Sequence, residues 1–242
     1  MDRMMLLVNP NSTESMTNAL IPLVEAVSGQ EDFEWHYITS PAGPASINND
    51  LDAAESMDYC LPSIEAGWGT WGGVLVACYS EHPLVARLRD TPRQVPVIGI
   101  FEASVSSALL QLRPHEMFGI VSTGKAWEAL LTTAVGNFLG TSTTPHFAGV
   151  ATTGLSATEL HDTPPEEVRA RMKQATKELL RKGNVGAICL GCAGMAGMDE
   201  MVREACVEEL GGKGELVRVI DGVKAGVVML EGMMRAETMK SR

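Results

Sequence analysis

No apolar run in this chain approaches the roughly 18 residues a bilayer-spanning helix needs, and the apolar stretch within MDRMMLLVNP is too short for a secretory signal. These absences lead to the expectation of a cytoplasmic protein with no membrane partner. Cations are scarce: Lys and Arg number 19 against 30 Asp and Glu, a net charge of −11 spread along the sequence. A nucleic-acid partner is therefore not expected, and a small-molecule substrate is. Cysteines are few and odd in number, Cys60, Cys78, Cys189, Cys192 and Cys206, so without an export signal a disulfide framework is not expected. Metal chemistry lacks its signature as well. CLGC at 189–192 has no second C-x-x-C and no histidine at ligand spacing, so no metal is expected. Finally, GIVSTGKA at 119–126 nearly spells a phosphate-binding loop, but Ala126 stands where a Ser or Thr would hold magnesium.

What the sequence does contain is 242 residues with 45% hydrophobic composition, enough to bury a core as one large domain or two lobes. Short, continuously apolar, β-branched runs alternate with helical patterns, the mark of a parallel sheet covered on both faces. Expected strands are Met4–Val8, Trp35–Ile38, Gly73–Ala77, Val97–Ile100, Phe118–Ser122, Phe147–Ala151, Gly186–Leu190 and Val217–Ile220. Met16, Ala19, Leu20, Leu23, Val24 and Val27 recur at helical spacing behind Ser12 as the expected N-cap. A second helix is expected from Pro164 or Pro165, burying Val168, Met172, Ala175 and Leu179 and stopping at Lys182-Gly183.

The two halves repeat. MLLVNPNST at 5–13 matches FGIVSTGKA at 118–126, and GGVLVACYS at 72–80 matches VGAICLGCA at 185–193. Asn9 precedes Cys78 by 69 residues and Thr123 precedes Cys192 by 69, which pairs the two thiols as repeat mates and Asn9 with Thr123. Ligands of open parallel sheets bind at the carboxyl ends of the strands, where each half sets polar residues and a thiol. This changes the weight of C-x-x-C: a redox pair opens a helix, whereas Cys189 falls inside the strand pattern GAICL and reads as a core residue. The flanking Gly191 and Gly194 suggest close approach of something to the backbone beside Cys192. His82 has two readings, a base or cation acting on Cys78, or a cap of the helix that His82-Pro83 begins. Met195, Met198, Met201, Met229, Met233 and Met234 read as core filler.

Together NPNST, GPASINND at 43–50, the strand ending at Cys78, VIGIFEAS at 97–104, FGIVST, LGCAGM at 190–195 and VIDGVKAG at 219–226 resemble the aspartate/glutamate/hydantoin racemase superfamily, and within it the hydantoin and allantoin racemases. The resemblance implies an α/β fold of two pseudo-symmetric lobes, 1–100 plus 221–242 and 101–220, each a mostly parallel sheet flanked by helices, with the active site in the inter-lobe cleft. It implies Cys78 and Cys192 as catalytic groups of a cofactor-independent racemisation, in which one thiolate removes an α-proton and the opposite thiol delivers one. Backbone N–H groups just after each thiol are the candidates for activating it. Asn11, Ser122 and Thr123 are candidate enolate donors, with Asn9, Ser46, Tyr79, Gly191 and Ala193 as further substrate contacts. The mostly neutral strand ends favour a cyclic ureide over an amino acid, and such a small ring is the expected guest that the glycines beside Cys192 admit to the thiol. Cys78-Tyr-Ser-Glu-His-Pro departs from the Gly-Asp-Pro-like turn of that branch. Alternatives are another isomerase or decarboxylase of the superfamily, such as a maleate-isomerase-like or arylmalonate-decarboxylase-like protein, or a non-catalytic ureide-binding protein. A homo-oligomer is expected.

Overall fold

A computed structural model describes residues 3–29, 32–92, 94–142 and 144–238. Strands and helices alternate as β1 (Met4–Asn9), α1 (Glu14–Val27), β2 (Glu34–Thr39), α2 (Asp50–Ala66), β3 (Gly73–Val76), α3 (Pro83–Arg89), β4 (Val97–Gly99) and α4 (Ile100–Gln111). The second half continues with β5 (Met117–Ser122), α5 (Trp127–Leu139), β6 (Phe147–Thr152), α6 (Glu159–Asp162), α7 (Pro165–Leu180), β7 (Val185–Leu190), α8 (Asp199–Leu210), β8 (Arg218–Asp221) and α9 (Gly222–Thr238). All eight strands fall where the apolar runs place them. A strand covered on both faces has no polar side to show, and β3 and β7 are buried at every position.

The strands form two four-stranded sheets, ordered β2-β1-β3-β4 and β6-β5-β7-β8, with every pairing parallel. The identical order is the structural form of the sequence repeat. The chain divides into unit 1, Met1–Ala103 with Val223–Arg242, and unit 2, Ser104–Gly222. It therefore crosses from one unit to the other inside α4 and again at the start of α9.

In unit 1, Leu6, Val8, Val74 and Val76 of the sheet pack with Cys60, Ile64, Leu84, Val85 and Leu88 of α2 and α3. α9 closes the same unit, with Leu230 against Gly73 and Leu75 against Gly226. In unit 2, Ile188 and Leu190 pack with Val168, Met172, Ala175 and Leu179 of α7 and with Val202 and Cys206 of α8. Each fully buried aliphatic side chain contributes about 1.5–3 kcal/mol relative to exposure, so these clusters are the principal stabilising term. Among the described residues no helix is long and apolar enough to cross a membrane.

Three local expectations are corrected. Thr13, not Ser12, is the N-cap of α1, and its side chain makes no capping bond. Asn11 Oδ1 accepts from the Thr13 N–H at 2.9 Å in a local Asx turn, while Ser12 Oγ donates to the Gly43 carbonyl. α7 buries the expected face but is capped by Arg181, so Gly183 lies beyond the cap, at φ 151°. Met195 is fully buried, whereas Met233 is 48% exposed on α9 and is not core.

The repeat also slips by one residue. Met5 pairs with Gly73 and Val8 with Val76, a constant separation of 68. In unit 2 Met117 pairs with Val185, again 68, but Phe118 pairs with Ala187 and Val121 with Leu190, now 69. The additional residue is Gly186, at a β-bulge. Backbone bonds agree: Ser40 N–H donates to the Asn9 carbonyl and Thr153 N–H to that of Ser122. The structural mate of Asn9 is therefore Ser122 rather than Thr123, while Cys78 and Cys192 remain mates, each two residues past the end of its strand.

Candidate active site

Cys192 follows β7 in extended conformation, φ −159° and ψ 142°, and serves as N-cap of a single 3-10 turn, Ala193–Met195. Its Sγ accepts from the Gly194 N–H at 3.3 Å. Those turn N–H groups favour the thiolate, and burial opposes it; burial wins, pushing the Cys192 thiol up to about 11. Cys192 therefore holds its proton at neutral pH.

Two neighbours fix this position. Ser122 Oγ donates to the Gly191 carbonyl at 2.8 Å, and the Gly191 N–H donates to the Val121 carbonyl at 2.7 Å. A Cβ on Gly191 would stand 2.7 Å from that carbonyl oxygen and 2.6 Å from Ile120. The glycine before the thiol is thus required by the neighbouring strand, and the expected close approach is backbone to backbone within the sheet. Cys189 is fully buried in β7, its Sγ 3.7 Å from the Ser104 carbonyl. It is a strand residue, as its place in GAICL implies.

Cys78, half-buried, follows β3, with Ala77 N–H donating to the Val8 carbonyl at 2.8 Å as Gly191 does to Val121. Cys78 Sγ lies 3.4 Å from Ser80 Oγ. Tyr79 is 4% exposed and packs edge-on against Phe101, centroids 5.6 Å apart. His82 settles between its two readings: it is the N-cap of α3, Nδ1 accepting from the Leu84 N–H at 3.2 Å. An accepting Nδ1 places the ring proton on Nε2, 3.0 Å from Ser56 Oγ, and that hydroxyl donates onward to the Ala53 carbonyl. Burial lowers the His82 pKa to about 4, so it is neutral at physiological pH and supplies no cation to Cys78.

The remaining candidates divide by how their polar atoms are used. Asn9, 2% exposed, donates from Nδ2 to Asn11 Oδ1, the Thr13 carbonyl and Thr17 Oγ1, and its Oδ1 accepts from the Asn11 N–H. It shapes the turn after β1. Ser122 plays that part in unit 2 through Gly191, so its hydroxyl proton is committed within the sheet. Asn11 Nδ2 donates to the Met16 sulfur at 3.3 Å, a weak acceptor, which keeps an amide donor at the strand end. Thr123 is 3% exposed, its carbonyl accepting from the Gly154 N–H. Ser46 sits in the loop that Ser12 and Thr13 tie to α1, its Oγ 3.4 Å from Asn48 Oδ1. Ala193 opens the turn after Cys192 and is half-buried. Ser80 was not among the expected residues, although it stands two residues after Cys78 as Gly194 stands after Cys192. Among the described residues no group of three or more His, Cys, Asp or Glu side chains is arranged to hold a metal.

The family model described as Asp/Glu/Hydantoin racemase matches residues 5–230. An uncharacterized protein of Schizosaccharomyces pombe is 34% identical over 98% of this chain and 94% of its own. The hydantoin racemase of Pseudomonas sp. strain NS671 is 28% identical, covering 93% of this chain and 83% of its own. The crystal structure of allantoin racemase from Pseudomonas fluorescens superposes with a TM-score of 0.81 at 26% identity, over 97% of this chain and 92% of that one.

Proposed function

This chain belongs to the Asp/Glu/hydantoin racemase family, and from that premise we propose that it interconverts the enantiomers of a hydantoin-type cyclic ureide, a 5-substituted hydantoin or allantoin, with Cys78 and Cys192 as paired acid and base. As a member of the family the chain is an isomerase. The observation that carries the finer reading is the equivalence of the two thiols, each two residues beyond an inner strand of a sheet with the same strand order. A racemase must treat either enantiomer alike, removing a proton from one face and adding one to the other. Two like groups in like settings meet that requirement in both directions.

One thiolate takes the α-proton, the resulting enolate is held by neutral donors, and the other thiol reprotonates the opposite face. Asn11 Nδ2, which faces only a weak sulfur acceptor, is the donor of choice, because Asn9 and Ser122 already use theirs internally. Neutral groups suit a ureide, which presents carbonyls and N–H groups rather than the carboxylate and ammonium of a free amino acid. The ring carbonyl also acidifies the α-hydrogen, so a thiolate suffices as base.

The test follows single enantiomers of allantoin and of 5-substituted hydantoins by optical rotation and α-deuterium uptake in deuterated water. Wild type racemises with deuterium incorporation, and Cys78→Ala and Cys192→Ala each lose about 10²–10⁴-fold. Full activity in either variant overturns the two-thiol mechanism, and tight ureide binding without exchange overturns the racemase reading.

A further inference from the structure

Two residues beyond each thiol, the two units differ in kind. Gly194 offers Cys192 Sγ a backbone N–H at 3.3 Å, whereas the equivalent position in unit 1 is Ser80, whose Oγ lies 3.4 Å from Cys78 Sγ. An N–H only donates, so it favours a thiolate and cannot accept from a thiol's S–H. A hydroxyl does both, turning about one bond. Ser80 is 6% exposed, which limits competition from water for its hydroxyl, and both flanks are held: Tyr79 by Phe101 and His82 by the first turn of α3.

We propose that Ser80 is the positioning residue of the first thiol, donating to the Cys78 thiolate before proton abstraction and accepting from the Cys78 thiol after it. This rests on the reading of Cys78 as an acid–base group. In the forward step the α-carbon–hydrogen bond breaks and its proton passes to Cys78 sulfur. The electron pair left on carbon moves into the adjacent carbonyl as an enolate, and Cys192 S–H then protonates the opposite face, leaving a Cys192 thiolate. Ser80 keeps its own proton throughout and only reorients. The assignment makes the two thiols unequal partners, one attended by a reversible hydroxyl and the other by a fixed N–H.

Ser80→Ala is compared with wild type by iodoacetamide alkylation across pH, the modified Cys78 and Cys192 peptides being quantified separately by mass spectrometry. In parallel, α-deuterium exchange is measured with each enantiomer of a 5-substituted hydantoin. Loss of a hydrogen bond to a charged sulfur moves the Cys78 alkylation profile to higher pH and slows it about tenfold near neutral pH, while the Cys192 profile stays in place. An unmoved Cys78 profile overturns the proposal, and so does a joint shift of both thiols, which marks general loosening. Alkylation needs no turnover, so the two readings fail separately. A shifted Cys78 profile in a protein whose wild type exchanges no deuterium retains Ser80 and removes the racemase; wild-type exchange with an unmoved profile does the reverse.

Discussion

The Ser122 hydroxyl donates to the Gly191 carbonyl at 2.8 Å, so the last residue of β5 holds the residue immediately before Cys192. Ser122→Ala leaves a buried carbonyl short of this partner, and the expected cost is about 1–3 kcal/mol. Urea denaturation measures it. A loss below a few tenths of a kcal/mol denies the bond a structural role.

Gly191 and Gly124 give opposite outcomes under the same change. A Cβ at Gly191 meets a backbone oxygen of β5, whereas nothing lies within 4 Å of one at Gly124. Gly191→Ala is expected to destabilise by about 1–3 kcal/mol through overpacking, and Gly124→Ala to stay within about 0.5 kcal/mol. Thermal melts of both variants check the contrast.

Cys189 and Cys192 separate by function. Cys189→Ala removes a small buried group from β7, costing about 1–2 kcal/mol, and retains deuterium exchange at close to the wild-type rate. A dithiol mechanism requires instead that this variant be as inactive as Cys192→Ala, so parallel exchange assays decide between them.

His82 gives stability an acid limb. Its pKa is about 4 in the folded protein against an ordinary 6.5, so between those values the unfolded chain binds a proton that the folded chain refuses. The contribution is complete above pH 6.5 and is lost as pH falls from 6.5 toward 4, about 3 kcal/mol in all. His82→Asn keeps an acceptor for the α3 cap and cannot titrate, so its unfolding free energy is expected to fall less steeply over that interval. Equal slopes in urea titrations of the two proteins contradict the assignment.

The inner strands were legible because burial on both faces leaves only one kind of residue to write them. Val74, Leu75 and Val76 or Ile188, Cys189 and Leu190 admit few other readings. The thiol pairing was legible too, since each cysteine stands just past an apolar strand pattern in its half of the repeat. What the equal 69-residue spacing misassigned was the mate of Asn9: Gly186 inserts one residue early in β7, so counting back from Cys192 lands on Thr123, although the match of MLLVNPNST to FGIVSTGKA sets Asn9 opposite Ser122. Hydrogen-bond commitments were equally hidden. Asn9, Asn11, Ser122 and Thr123 look alike as polar strand ends, and only the fold distinguishes Ser122, whose proton goes to Gly191, from Asn11, whose amide faces a weak sulfur acceptor. Ser80 was overlooked because Tyr79 and His82 beside it carry the more conspicuous side chains.

The helix that closes unit 1 follows unit 2 in the chain. α9 lays Gly226 on Leu75 and Leu230 on Gly73, and its Glu231 carboxylate accepts from Ser28 Oγ, the Gly29 N–H and Trp35 Nε1. During synthesis every residue of unit 2 leaves the ribosome before α9 does. The sheet that carries Cys78 therefore waits, with the β3 side chains that α9 covers still open to water, until the second sheet has had the chance to fold. Birth order and assembly order are reversed: the unit begun first is the one finished second.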